Sequence, residues 1–193
     1  IIQDGLHTEA ISAKWGLRHA GGNKSMLINA RMETANEKPT FSGAFLHSRC
    51  IVAASGWYEW SAAKTPWHVQ LADGGGMAFG GLVLRRGGED WFVIMTNAAN
   101  GDLASIHHRQ PLVLAPDNWP RWLTGSAEDA GSLCLAAPSS WFNWYRVGPA
   151  VGRVGEDHPG LVTPLDDAAL AAEAQSRAKP AKAAPTAQGD LFG

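Results

Sequence analysis

The carboxylate Glu59 lies in the run Trp57-Tyr58-Glu59-Trp60, in which every other member is aromatic. Aromatic neighbours exclude water from a carboxylate, which raises its pKa and suits it to act as a general acid or base. The run is also typical of a strand, and strand alternation would put Trp57 and Glu59 on one face and Tyr58 and Trp60 on the other. Glu59 would then simply face solvent, and the run alone favours neither interpretation.

A second polar set, Asn29, Arg31 and Glu33, recurs at every other position. In an extended strand these side chains share one face, and an amide, a guanidinium and a carboxylate together indicate a polar site rather than a core. A surface strand that carries an Arg–Glu pair would give the same pattern. The alternation therefore leaves the site and the surface strand as equal alternatives.

The tripeptide His107-His108-Arg109 stands shortly before an apolar run at residues 112–114. A histidine beside an arginine can contact phosphate, and histidine is the side chain best suited to moving protons near neutral pH. Adjacent histidines in a strand point to opposite faces, so we expect no metal site here. A structural role for His107 is the alternative.

Composition gives a mixed indication about nucleic acid. The 193 residues carry a formal net charge of −2, so no global positive field indicates DNA binding. Nine Trp suit a groove that stacks bases, although they suit a core as well. Residues 10–32 contain no acidic residue but hold the cations Lys14, Arg18, Lys24 and Arg31, for which a solvated surface is the alternative to a phosphate-binding face.

Cys50 and Cys134 are far apart and flanked by apolar residues, which favours buried, inert and reduced thiols over a disulfide or a zinc site. The sequence contains no signal peptide and no apolar run of the roughly 18 residues that span a membrane. Motifs for phosphate, dinucleotide or zinc-protease sites are also missing. We therefore expect a cytoplasmic protein with no membrane contact, no metal and no cofactor.

Short apolar runs between Gly-rich turns predict many strands and few helices. Strands are expected at residues 25–31, 50–54, 57–60, 67–72, 77–84, 91–96 and 112–114, and short helices at 34–45, 100–106 and 117–123. These elements indicate an α+β domain over residues 1–165, with a curved, barrel-like, mostly antiparallel sheet and peripheral short helices. Residues 166–193 form an Ala-, Pro- and Lys-rich tail, which we expect to be helical at 166–177 and then disordered.

Several ordered blocks of this chain resemble the SOS-response-associated peptidase family, also called abasic-site processing proteins. The blocks are Trp15-Gly16-Leu17, Asn29-Ala30-Arg31-Met32-Glu33-Thr34, Gly56-Trp57-Tyr58-Glu59-Trp60, Phe79-Gly80-Gly81-Leu82, Thr96-Asn97-Ala98-Ala99-Asn100 and Ile106-His107-His108-Arg109-Gln110-Pro111. The resemblance covers most of residues 1–165. It implies a protein that binds single-stranded DNA and crosslinks to abasic sites in the DNA damage response, when it would associate with the nucleoid.

In this family an N-terminal Cys attacks the aldehyde of the abasic sugar, and its amine and thiol close a thiazolidine ring. The resemblance assigns Asn29 to orienting that Cys and Arg31 to binding a phosphate beside the lesion. It assigns Glu59 to general acid/base catalysis, His107 to proton transfer during Schiff-base formation and reversal, and Thr96 to the pocket wall. Contacts to DNA are also expected from two neighbouring residues, Trp57 and Arg109.

The chain also departs from the family's pattern. The block with the N-terminal Cys is absent, and neither Cys50 nor Cys134 carries a free α-amine. Gln110 stands where the family usually has Met. Two alternatives therefore remain beside covalent crosslinking, namely a non-covalent DNA-binding module of the same fold and a peptidase limited to removing its own initiator Met.

The last residues of the tail resemble a short docking peptide. Gln188, Leu191 and Phe192 match the pattern by which bacterial repair proteins bind the sliding clamp, with the two apolar side chains filling a pocket and the amide hydrogen-bonding beside it. A chance Leu-Phe pair in a disordered tail is the alternative. The residues before it would act as a tether that raises the local concentration at the replication fork.

Overall fold

The computed structural model describes residues 1–5, 7–18 and 26–178. In chain order its strands are β1 (Ile2–Asp4), β2 (His7–Glu9), β3 (Lys14–Trp15), β4 (Leu17–Arg18), β5 (Met26–Leu27), β6 (Asn29–Arg31), β7 (Arg49–Ala54), β8 (Trp57–Trp60), β9 (Pro66–Leu71), β10 (Met77–Arg86), β11 (Glu89–Ala98), β12 (Arg109–Pro111) and β13 (Phe142–Arg146). Its α-helices are α1 (Met32–Ala35), α2 (Ser42–His47), α3 (Trp119–Thr124), α4 (Ala127–Ser132) and α5 (Asp167–Ala178). Single 3-10 turns lie at Gly101–Ser105, Pro116–Asn118, Ser139–Trp141, Pro149–Gly152 and Pro159–Val162.

One large sheet forms the centre of the fold. Its strands follow the order β12-β11-β10-β7-β1-β2, while β3 and β6 both pair in parallel with β11. Most neighbouring strands are antiparallel, and the ends of this path do not pair within the described residues. The predicted α+β fold with a mostly antiparallel sheet and short helices is confirmed, although the sheet stays open and does not close into a barrel.

Alternation along β11 separates two cores. Val93 and Met95 are fully buried on the face covered by the short helices, where Trp122 of α3 is also fully buried. Ile94 points to the opposite face, which is covered by the small sheet of β8, β9 and β13 in the order β13-β9-β8. The main sheet therefore lies between a helical layer and a second sheet, and β8 brings Glu59 over its second face.

Two predicted elements differ in their boundaries. The helix expected at residues 34–45 is interrupted and appears as the separate helices α1 and α2, with Pro39 between them. The apolar run at residues 112–114 is buried, but the hydrogen-bonded strand β12 ends at residue 111 and only Val113 continues with one bridge to Phe79. The other strands and short helices lie close to their predicted positions.

Only residues 166–178 of the predicted tail lie among the described residues. The helix predicted at residues 166–177 is found as α5, and Arg146 of β13 bonds Glu173 of this helix at 2.5 Å. Gln188, Leu191 and Phe192 lie outside the described residues, so the clamp-binding motif stays a prediction, as does the domain boundary at residue 165. In the described part of the chain, the structure contains no helix long and apolar enough to cross a membrane.

Candidate functional site

Glu59 and His107 meet where the small sheet lies over the large one. Oε2 of Glu59 is 3.3 Å from Nδ1 of His107, and the two side chains are 21% and 35% exposed. Burial raises the pKa of the Glu59 carboxyl, whereas the neighbouring imidazole acts in the opposite direction. The interpretation of Glu59 as a plain solvent-facing residue is therefore wrong, because it is a partly buried carboxylate in contact with a histidine.

Local packing determines how Glu59 is presented. The residue before β8, Gly56, has no room for a side chain, since an added Cβ would collide with the ring of His68 on β9. Trp57 then packs edge-on against Phe79 and Phe142, with ring centroids 5.9 and 5.2 Å away. Alternation along β8 places Glu59 on the same face as Trp57, so the aromatic core holds the carboxylate toward the large sheet.

His107 is held by the segment that follows the 3-10 turn at Gly101–Ser105. Leu103 and Ile106 are buried in the second core, and the backbone N–H of His107 donates to the carbonyl of Leu103 at 3.1 Å. Nδ1 of His107 lies 3.1 Å from the carbonyl oxygen of Arg109. The Arg109 N–H also points at Nδ1, at 3.3 Å, and the Glu59 carboxyl contacts the same nitrogen. In either tautomer the neutral ring keeps one nitrogen lone pair that can accept a proton.

Arg109 connects the segment of His107 to Glu33 and Thr96. Its guanidinium binds both carboxylate oxygens of Glu33, at 2.5 and 2.9 Å, and also bonds the backbone carbonyl and hydroxyl of Thr96. The hydrogen bonds from Arg109 lower the pKa of the Glu33 carboxyl. This bidentate pair stiffens the backbone that carries His107.

Asn29 and Arg31 lie on the edge of the large sheet beside Thr96. In the parallel ladder of β6 and β11, Asn29 aligns with Ile94 and Arg31 with Thr96, while Ala30 between them is buried. Asn29 and Arg31 therefore point to the same face as Thr96, and both are exposed. Neither is found in an ion pair or side-chain hydrogen bond within the described residues, so both are open to a ligand.

Two details differ from the expectations drawn from the residues. β6 ends at Arg31 and α1 begins at Met32, so Glu33 does not continue the alternation and pairs with Arg109 instead of Arg31. His107 and His108 precede β12, and their ring centroids are only 4.5 Å apart. The expectation that these two histidines lie in a strand and point to opposite faces is therefore wrong. The described residues nevertheless contain no group of three or more His, Cys, Asp or Glu that could hold a metal ion.

Two predicted DNA contacts have internal partners. Trp57 belongs to the second core, and Arg109 is engaged by Glu33 and Thr96 with 17% of its side chain exposed. Their contacts with DNA remain predictions, while their contacts within the protein hold the segments that carry Glu59 and His107. The residue missed by sequence reasoning is Glu33 as the partner of Arg109, which spacing could not indicate because the two are far apart in the chain.

Gln110 and the cysteines lie away from the exposed part of the site. The buried amide of Gln110 accepts from the backbone N–H of Asn100 at 2.9 Å and donates to the carbonyl of Ala137 at 3.1 Å. Burial raises the pKa of both Cys50 and Cys134 to about 12, so neither forms a thiolate readily. The expectation that these thiols are free and unreactive agrees with this arrangement.

Residues 2–154 match the family model described as SOS response associated peptidase (SRAP). The chain belongs to this family, which confirms the resemblance found in its sequence.

Relatives support the same membership. The chain is 36% identical over 173 residues to the abasic site processing protein YedK of Escherichia coli (strain K12), covering 83% of this chain and 76% of that protein. It is 31% identical over 183 residues to the abasic site processing protein YoqW of Bacillus subtilis (strain 168), covering 84% and 80%. A crystal structure of a protein from Bacteroides thetaiotaomicron gives a TM-score of 0.65 at 27% identity, covering 72% of this chain and 66% of that one.

Proposed function

We propose that this protein processes abasic sites in single-stranded DNA, with Glu59 and His107 as its proton-transfer groups. The contact between these two side chains carries the proposal, because it combines a carboxyl of raised pKa with a histidine at the edge of an open face. The printed names of the relatives, which describe abasic site processing, point to the same class of substrate.

The chemistry of the abasic sugar explains why two proton-transfer groups are useful. Opening the cyclic hemiacetal removes a proton from the C1′ hydroxyl and delivers one to the ring oxygen, which leaves an aldehyde. In our proposal the Glu59 carboxyl, whose pKa burial raises, delivers the proton to the ring oxygen, and the imidazole of His107 accepts the proton from the hydroxyl. Such a pair can also exchange roles when the sugar closes again.

A covalent step would follow at the aldehyde carbon. An amine adds to this carbon, the resulting hydroxyl is protonated and leaves as water, and a thiol adds to the imine to close a thiazolidine. The nucleophile implied by the family is an N-terminal Cys, and neither Cys50 nor Cys134 combines a thiol with an α-amine. The balanced reaction joins the protein to the sugar and releases one water.

Arg31 and Asn29 would hold the strand. The exposed guanidinium of Arg31 lies next to Thr96 and is suited to a phosphate beside the lesion, while the amide of Asn29 can both donate and accept hydrogen bonds. In this arrangement the charged and hydrogen-bonding side chains lie along one edge of the large sheet, and the proton-transfer groups Glu59 and His107 lie beside that edge. An abasic site in a single strand exposes its sugar without the cost of unpairing a duplex.

The test mixes the protein expressed from its complete gene with a labelled single strand that contains one abasic site. We expect a species that survives denaturation and has the summed mass of protein and DNA less one water. A strand that stays unmodified while the protein still prefers abasic over intact DNA would favour the non-covalent binding module. Unmodified DNA together with no such preference would contradict the proposal.

A further inference from the structure

Trp15 is an exposed aromatic residue on the edge that carries Asn29 and Arg31. Its residue surface is 50% exposed, more than that of any other tryptophan the structure describes. Tryptophan gains most from burial or from a flat partner, so such exposure beside a polar site favours a binding role.

The indole of Trp15 is held in a fixed orientation. It stacks on Phe92 of β11, with a centroid distance of 6.5 Å and an interplanar angle of 11°. Its Nε1 donates a hydrogen bond to the backbone carbonyl of Ile28 at 2.9 Å. One face of the indole is therefore supported by Phe92 before any ligand arrives, which lowers the entropy lost when a partner stacks on it.

Strand register aligns Trp15 with the two exposed residues of β6. Trp15 pairs with Phe92, Asn29 with Ile94 and Arg31 with Thr96. These partners recur at every second position of β11, so the three side chains form one row on one face, about 6.6 Å apart at the rise of a parallel strand. Trp15 and Arg31 are two such intervals, about 13 Å, apart, a distance that two extended nucleotides at about 6.5 Å each span.

The charge along this edge suits the same partner. Arg31 stands at one end of the row, and Arg18 lies exposed in β4, which follows Trp15 in the chain. Residues 10–32 contain no acidic side chain, although Lys14 is paired with Glu89 at 2.5 Å. A flat aromatic face in line with a cation is an arrangement by which proteins bind single strands through their bases and phosphates.

We propose that Trp15 stacks on a DNA base within two nucleotides of the abasic position and thereby sets which sugar reaches Glu59 and His107. The inference rests on the proposed function, because it takes the row of Trp15, Asn29 and Arg31 as the path of the strand. Trp15 is a positioning residue here, since it contacts a base and not the reacting sugar.

The experiment uses single strands that carry a tetrahydrofuran analogue, which has no aldehyde, so only non-covalent binding is measured. The fluorescent base 2-aminopurine is placed in turn at each of the two positions on either side of the analogue. Wild type is compared with Trp15→Phe, which keeps an aromatic face, and with Trp15→Leu, which keeps an apolar cover over Phe92. Trp141→Ala removes another exposed tryptophan, 38% exposed and at the far end of the small sheet, and is the matched control.

We expect one position on one side of the lesion to lose fluorescence when wild type, Trp15→Phe or Trp141→Ala binds, and to keep it with Trp15→Leu. Trp15→Leu should also weaken affinity between about fivefold and about 150-fold, without changing the salt dependence. If wild type binds and Trp15→Leu binds equally well, the inference is overturned while the proposed function stands. If wild type does not bind these strands at all, both fail.

Discussion

Nδ1 of His107 lies 3.3 Å from Oε2 of Glu59, although one residue precedes β12 of the large sheet and the other belongs to β8 of the small one. The contact exists because the aromatic core under Trp57 brings β8 over the edge where β12 meets β11. Two segments distant in sequence thus supply one carboxyl–imidazole pair, and the distance between its two members depends on how the two sheets pack.

The stability of the protein should depend on pH through Glu59. Burial raises the pKa of this carboxyl, so the folded protein holds the proton more tightly than the unfolded chain does. Its contribution to the free energy of unfolding is complete below the ordinary pKa and is lost as pH rises through the raised pKa. Because Gln cannot ionise, we expect Glu59→Gln to melt above wild type at neutral pH, with a difference that shrinks toward about pH 4.

Thermal melting across this pH range measures the effect. Glu37→Gln, an exposed carboxylate between α1 and α2, is the control for loss of one charge. A Glu59→Gln protein that melts below wild type at neutral pH would mean that its pair with His107 outweighs the cost of burying the carboxylate.

Arg31 should contribute to DNA binding mainly through charge. Removing one phosphate contact lowers the dependence of log affinity on log salt by about 0.7 for a single strand. We therefore expect Arg31→Ala to weaken binding most at low salt, as measured by fluorescence anisotropy over a salt series. Arg86→Ala, an exposed arginine near the β10–β11 turn, should leave the slope unchanged. Equal slopes for wild type and Arg31→Ala would exclude a phosphate contact.

The ion pair between Arg109 and Glu33 should matter for catalysis rather than for affinity. Glu33→Gln removes the charge that fixes Arg109, whose backbone carbonyl contacts His107. A displaced catalytic group costs up to about 100-fold in rate, so we expect a single-turnover rate lowered between roughly tenfold and 100-fold at saturating protein.

Glu89→Gln is the control for this change, because it breaks the exposed pair with Lys14 outside the site and should leave the rate unchanged. An unaltered rate in Glu33→Gln combined with weaker DNA binding would assign Glu33 and Arg109 to the DNA contact instead.

Gln110 should be required for the stability of this protein, although the family usually has Met at this position. Gln110→Met leaves the buried carbonyl of Ala137 without its partner and removes the acceptor of the partly buried Asn100 hydrogen bond. An unsatisfied buried group costs about 1–3 kcal/mol, so we expect a lower free energy of unfolding in urea by that amount. A Met variant as stable as wild type would show that the surrounding backbone finds other partners.

The sequence predicted most of the elements because strand alternation and glycine turns are local signals. Contacts between residues that are distant in the chain leave no such local signal, and Glu33 is an example. Its spacing from Arg31 suggested a pair on one strand, but the strand ends at Arg31 and the helix that follows turns Glu33 toward Arg109. The pattern around Glu59 left two equal alternatives, and burial under the second sheet decides between them.

The resemblance to the family predicted that Glu59 and His107 belong to one site, and the structure places them in contact. It also named Trp57 and Arg109 as DNA contacts, and the structure gives these two side chains partners within the protein. The structure brings residues of these local motifs together, whereas their individual contacts depend on packing between layers.

The most direct measurement is the rate at which abasic single-stranded DNA is processed by wild type, Glu59→Gln, His107→Ala and the double variant. Each single change should slow the reaction by about 10²–10⁴-fold, because each removes a proton-transfer group. If Glu59 and His107 act as one unit, the double variant should be about as slow as the slower single variant. Effects of the two changes that multiply in the double variant, or single variants as fast as wild type, would contradict a shared role in proton transfer.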